Sequence, residues 1–253
     1  MGILLLAAAA VAAFLWNRYL NKNSLIRGFE TQEGQQVYLL GTFHENHFDR
    51  WLGYSMEDVL SAVENVDPDV VFLEARQSVL EEYGVVDGPV DMAVVYSYCT
   101  QNRIPAALVD WWVVDNEYRS NTTNEKRDDR IFANISEKLK KIRSGSKVLI
   151  VCGAGHFYEQ ADRLLQHGAR RLRLTDPGAC FEADGGTFHY PENVEEVWEQ
   201  RAYFYAYLYP KLVGADETLS EEIRADFTGG DHDAFYEEQL EYCELFAADL
   251  LYR

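Results

Sequence analysis

The sequence predicts an α/β domain, a largely parallel sheet with flanking helices, followed by a C-terminal helical segment. Three observations carry that expectation. Between residues 36 and 186, short apolar runs alternate with helical patterns, the signature of parallel strands joined by crossover helices. From Thr187 onward the chain turns acidic and aromatic, with apolar residues at helical spacing. The chain has 253 residues, 47% of them hydrophobic and 13% aromatic, enough apolar surface to offset the entropy of ordering one substantial core.

Residues 1–20 stand apart. Ile3 to Trp16 is an unbroken apolar run, and the cations Arg18, Lys22 and Arg27 all follow it. Fourteen residues fall short of the ~20 a bilayer span needs, but Tyr19 and Leu20 extend the run if Arg18 snorkels to the interface. The favoured expectation is a single N-terminal membrane anchor. By the positive-inside rule it would leave the following domain cytoplasmic. A cleaved signal peptide, with the domain exported, is the alternative, and a buried helix is the third reading. Residues 21–35 are polar and read as a linker or as the first arm of a hairpin.

The core elements follow in order. Val37 to Leu40 reads as a buried strand, and a helix runs past Met56, Val59, Leu60 and Val63 to Asp67-Pro68. Val70 to Leu73 is the second strand, and a helix over 89–102 leads to a third strand at Ile104 to Val109. A charged helix over 124–143 precedes the fourth, Val148 to Cys152. Two stripes, one from Val194 to Leu212 and one from Tyr236 to Leu251, read as packing faces of an extension over 187–253. They would cover the sheet, pair with a second copy in a homodimer, or frame a site. Asp226 to Asp233 lacks the ligand spacing of a calcium loop and reads as a helix-to-helix turn. Four scattered cysteines include no CxxC, which speaks against a zinc ribbon or a disulfide framework.

Open α/β sheets place ligands beyond the carboxyl ends of their strands. The polar residues at those ends are His44, Glu74, Asp110 and His156. Any one of them is ordinary as a cap, a turn or a solvated side chain. The repetition is not: Gly41-Thr42-Phe43-His44 and Gly153-Ala154-Gly155-His156 each follow an apolar strand, and a carboxylate ends a strand between them. Two imidazoles and a carboxylate at one edge suit a divalent metal, with glycines letting the backbone turn sharply there. Arg127 and Arg130 share a face of the charged helix and offer an anion clamp.

In this order the motifs resemble the TraB/PrgY family of pheromone-shutdown proteins, and through it the group containing the Tiki proteases, the ChaN-like haem-associated proteins and the erythromycin esterases. The resemblance covers roughly residues 36 to 175. It includes Asp67-Pro68-Asp69-Val70-Val71-Phe72-Leu73-Glu74, Asp91-Met92, Ile104-Pro105, Leu108-Val109-Asp110, Arg127-Asp128 and Val151 to His156. It implies a TraB/Tiki/ChaN-like core, a metal site of His44, Glu74 and His156, and an arginine at Arg127, or Arg130 if the register slips. The activity it implies is metal-dependent hydrolysis.

The leading expectation is therefore a metal-dependent hydrolase or peptidase acting on a peptide or small-molecule carbonyl. His44, His156 and Glu74 hold a divalent ion, Glu45 is the general base, and His47 and Asp110 stand behind the ligands. His44-Glu45-Asn46-His47 is not HExxH, because its histidines are three apart. The alternatives are a membrane-tethered regulator that sequesters a peptide without turnover, and a haem or iron protein with histidine ligands. The net charge of -19 excludes docking on nucleic acid or on anionic lipid, both of which need clustered cations. Only 7 of the 23 basic residues are lysines, a balance that suits a high-salt solvent.

Overall fold

Four strands point their carboxyl ends at one edge of a six-stranded sheet. The computed structural model describes residues 21–48, 52–121, 123–182 and 190–251. In chain order they are β1 (Ile26–Glu30), β2 (Gln36–Thr42), β3 (Val70–Leu73), β4 (Ala106–Leu108), β5 (Lys147–Gly153) and β6 (Arg170–Leu172). The spatial order is β4-β3-β5-β2-β1-β6. The first four in that order are parallel, and β1 and β6 add an antiparallel flank. Residues 26–30, within the stretch expected as linker or hairpin arm, thus form the hairpin arm, with Ile26 opposite Leu40.

Register sets the site. Thr42 pairs with Gly153, and Leu73 pairs with both Val151 and Leu108, so the four parallel strands end at one level. The helices are α1 (Met56–Val66), α2 (Gln77–Tyr83), α3 (Val90–Gln101), α4 (Asn124–Leu139) and α5 (Ala154–Gln166). Val37, Leu39, Val71, Leu73, Val148 to Val151 and Phe157 are essentially solvent-free, because helices cover both faces of the parallel strands. The core strands are therefore unbroken apolar runs rather than alternating ones.

Ser55 starts α1 with a capping box. Its hydroxyl accepts from the Asp58 amide, and the Asp58 carboxylate accepts from the Ser55 amide at 2.7 Å. Ser55→Ala is expected to cost about 1 kcal/mol, read as a fall of a few degrees in the thermal midpoint. An unchanged midpoint would show that the Lys22–Asp58 ion pair at 2.7 Å holds the turn by itself.

The C-terminal segment is helical: α6 (Val194–Tyr203), a π-helical stretch Phe204–Leu208, α7 (Tyr209–Ala215), α8 (Glu221–Thr228) and α9 (His232–Leu251). The sequence placed the end of this stripe near Pro210 and Gly214, and the chain stays helical through Pro210 to Ala215. The wider π turns precede Pro210, which lacks the N–H for the regular ladder. The turn between α8 and α9 falls at Gly229 to Asp231. The extension packs on helices of the core. Trp198 packs on Val90 and Ala93 of α3, and Phe204 packs on Val79 of α2 and on Val85.

The expected membrane anchor is corrected. No helix among the described residues is long and apolar enough to cross a membrane. Residues 1–20, on which the anchor, the membrane partner and the cytoplasmic placement rested, lie outside the described residues. Among the described cysteines, Cys99, Cys152 and Cys180 are free thiols, and Cys152 is buried as its apolar run suggested.

Candidate functional site

Each strand end contributes one polar group. After β2 the backbone turns left-handed at His44, with φ 54°, and runs through a short 3-10 turn to Phe48. A positive φ is rare for a residue with a Cβ and costs on the order of 1 kcal/mol, strain that gathers at functional positions. The His44 Nδ1 faces both oxygens of Asp91, at 3.1 and 3.2 Å. Asp91 is wholly buried in the first turn of α3, where the helix dipole favours a carboxylate.

After β5, His156 repeats the arrangement. Its Nδ1 lies 2.7 Å from the Asp128 carboxylate, which also accepts from the Gln160 amide at 2.9 Å. Its Nε2 lies 3.4 Å from Glu74 Oε1. Glu74, at the end of β3, is almost fully buried. Its Oε2 accepts the Gly153 N–H at 2.6 Å, and its Oε1 accepts from Arg127 at 2.8 Å. Arg127 also grips both oxygens of Asp110, at 2.9 and 2.8 Å, so one guanidinium ties the ends of β3 and β4 together.

The glycines of the two Gly-x-x-His motifs serve a purpose other than the sharp turn expected of them. Neither Gly41 nor Gly153 has a positive φ. A Cβ on Gly153 would lie 2.5 Å from His44 Nε2 and 3.4 Å from Glu74 Oε2. Glycine is needed there for space, because the His44 ring and the Glu74 carboxylate both press on that backbone.

Neighbouring carboxylates raise the proton affinity of both imidazoles. Burial works against protonation of His44, but the Asp91 carboxylate, helped by Glu74 and Glu45, outweighs it and pushes the pKa up to about 9. Burial likewise opposes charging His156, and Asp128 and Glu74 raise it nonetheless. For Asp91, burial opposes ionisation, but His44 prevails and brings the pKa down to about 2. Glu74 moves upward, because burial and Asp110 outweigh the His156, Arg127 and His44 cations.

His44, Glu74, Asp110, Arg127 and His156 are thus brought together, and His47 and Arg130 are not. His47 is a structural histidine: Nδ1 faces the Tyr54 carbonyl at 2.9 Å and Nε2 accepts the Phe43 N–H at 2.9 Å, so neither nitrogen is turned to the site. Arg130 lies over the Trp111 ring, 5.2 Å from its centroid, and Arg127 alone reaches the strand ends. Glu45 is exposed on the 3-10 turn. The expected metal cluster is corrected too. No group of three or more His, Cys, Asp or Glu among the described residues is placed to hold a metal ion. Both Glu74 oxygens are taken by Arg127 and Gly153, and a cation beside the guanidinium would meet like charge.

Asp91 and Asp128 were missed as site residues. Both dipeptides, Asp91-Met92 and Arg127-Asp128, are visible in the sequence. The available signal was a charged residue within an otherwise core-facing helix stripe, next to Ile131 and Ile135 for Asp128. A buried carboxylate needs a partner, and each of these has a histidine.

Fold and site together define an α/β protein with a polar centre at its strand ends. No family model, curated protein or solved structure matches the chain.

Proposed function

We propose that the chain is a hydrolase of peptide or ester carbonyls, whose centre works by proton transfer between Glu74 and the two histidines. One observation carries this reading. Two imidazoles, each with Nδ1 fixed by a buried carboxylate, flank one buried glutamate at the strand ends. Such backing sets the tautomer and orientation of each ring, leaving the His44 Nε2 to meet substrate and turning the His156 Nε2 toward Glu74. Neighbouring titratable groups whose environments push them apart divide the acid and base roles. Glu74, raised by burial, takes a proton from the attacking water as its oxygen bonds to the carbonyl carbon. The His44 imidazolium supplies the proton that leaves with the departing amine or alcohol. Asp110 and Arg127 hold Glu74 in place. The order of motifs resembling the TraB/Tiki group supports the same reaction class. The divalent ion that the resemblance implies has no step here, since the donor set as placed does not make its cage.

The test is turnover of a peptide and ester library by the purified protein, with and without chelator. Chelator-insensitive turnover that is lost in His44→Gln and His156→Gln, and kept in Arg130→Ala, is expected. Full activity in both histidine variants would remove the proposal. Activity lost to chelator and restored by a divalent ion would return the metal to the site. Capture of a peptide without turnover would favour the sequestering reading.

A further inference from the structure

The turn at Asp87-Gly88 is held from three directions. From the core, the Arg76 N–H donates to Asp87 Oδ1 at 2.7 Å, and the Arg76 guanidinium pairs with Oδ2. From the end of β3, the fit is close enough that a Cβ on Gly88 would lie 2.4 Å from the Glu74 carbonyl oxygen. From the C-terminal extension, the Arg201 Nε donates to the Gly88 carbonyl, and the Tyr205 hydroxyl donates to the Asp87 carbonyl at 2.9 Å. Arg201 is itself braced. Another of its nitrogens donates to Gln239 Oε1 at 2.9 Å, and the guanidinium lies 4.3 Å from the Trp198 ring centroid and 5.1 Å from that of Tyr205. Trp198 in turn donates to the Gln239 carbonyl at 2.8 Å, which ties α6 to α9.

What this turn launches gives the clamp its meaning. Pro89 caps α3, and Asp91 sits in the first turn of that helix with its carboxylate on His44. A change in the aim of the turn moves Asp91 relative to the His44 ring. His156 is held by Asp128 from a different helix, α4.

We propose that the C-terminal extension positions the His44–Asp91 pair, with Arg201 and Tyr205 as positioning residues acting through the Asp87-Gly88 turn. Its use in catalysis rests on the hydrolase reading, but the positioning itself does not and is measured without turnover.

A carboxylate-bound imidazole Nδ1–H exchanges slowly with water and gives a downfield proton resonance. The full chain is expected to show two, assigned by their loss in His44→Gln and in His156→Gln. In Arg201→Met the His44 resonance is lost and the His156 resonance stays. The milder pair Tyr205→Phe with Gln239→Ala weakens the His44 signal alone, and this variant decides the matter should Arg201→Met fail to fold. An unmoved His44 resonance in the folded variants overturns the proposal. So does equal loss of both resonances, which marks general loosening, and so does the absence of a His44 resonance from the parent protein. A hydrolase screen that finds no substrate leaves this result standing.

Discussion

In urea, Arg127→Met is expected to lose about 3–5 kcal/mol of unfolding free energy at neutral pH, roughly a 10 °C fall in thermal midpoint. The guanidinium is the bidentate partner of Asp110 and a donor to Glu74, and both carboxylates are 2–3% exposed. Removing it leaves two buried anions facing one another. That cost far exceeds the small net gain of a typical ion pair, because the desolvation of the carboxylates is already spent. The deficit should shrink as pH falls from 7 to 5, because Glu74, which burial already pushes upward, takes a proton and removes one of the facing charges. A triple variant Arg127→Met, Glu74→Gln, Asp110→Asn should recover part of the loss. Unfolding curves of the parent and both variants at the two pH values check this. A loss under 1 kcal/mol at neutral pH would show that Gly153 and His156 suffice to hold Glu74.

Asp91→Asn tests the other half of the site through its pH dependence. The folded His44 pKa, about 9, lies above its ordinary 6.5. The stability it contributes is therefore fully present below pH 6.5 and is lost as pH rises through 9. The folded Asp91 pKa, about 2, lies below its ordinary 3.8, so its contribution is present above pH 3.8 and is lost as pH falls through 2. These are one interaction seen from its two partners and are not added. The parent protein should exceed Asp91→Asn by on the order of 2–3 kcal/mol between about pH 4 and 6.5. The gap narrows as pH approaches and passes 9. Denaturation curves at pH 5.5, 8 and 10 read this directly. A gap that does not change with pH would mean that His44 is not charged by Asp91.

The consequence for activity follows from the same pair. An imidazolium that persists through neutral pH is an acid, not a base. Rates that depend on His44 should hold level up to pH 8 and decline as pH approaches 9. Asp91→Asn moves that decline toward 6.5.

The sequence by itself determined the strand ends. Apolar runs with polar residues at their carboxyl termini recur at Val37 to His44, Val70 to Glu74, Leu108 to Asp110 and Val148 to His156. Parallel pairing of such runs leaves those residues at one edge whatever covers the sheet. His44, Glu74, Asp110 and His156 were legible for that reason, and Arg127 was legible as a cation on the exposed side of an amphipathic helix. Choosing Arg127 over Arg130 took the structure, because residues three apart share a face and only the seating of α4 separates them.

The tertiary structure alone decided what each of these groups is bonded to. Asp91 and Asp128 come from helices 47 and 28 residues distant in sequence from the histidines they hold, and no local pattern encodes such a pairing. His47 read as a residue standing behind the ligands, yet its ring is consumed by two backbone groups that close the turn. Gly153 looked like a glycine for a sharp turn and is a gap left for an imidazole. The C-terminal stripes showed that something would be covered, but not that Arg201 would close over the turn that aims Asp91. Periodicity records which face of an element is apolar; partners are set by the positions of several elements at once, and those exist only after the chain has folded.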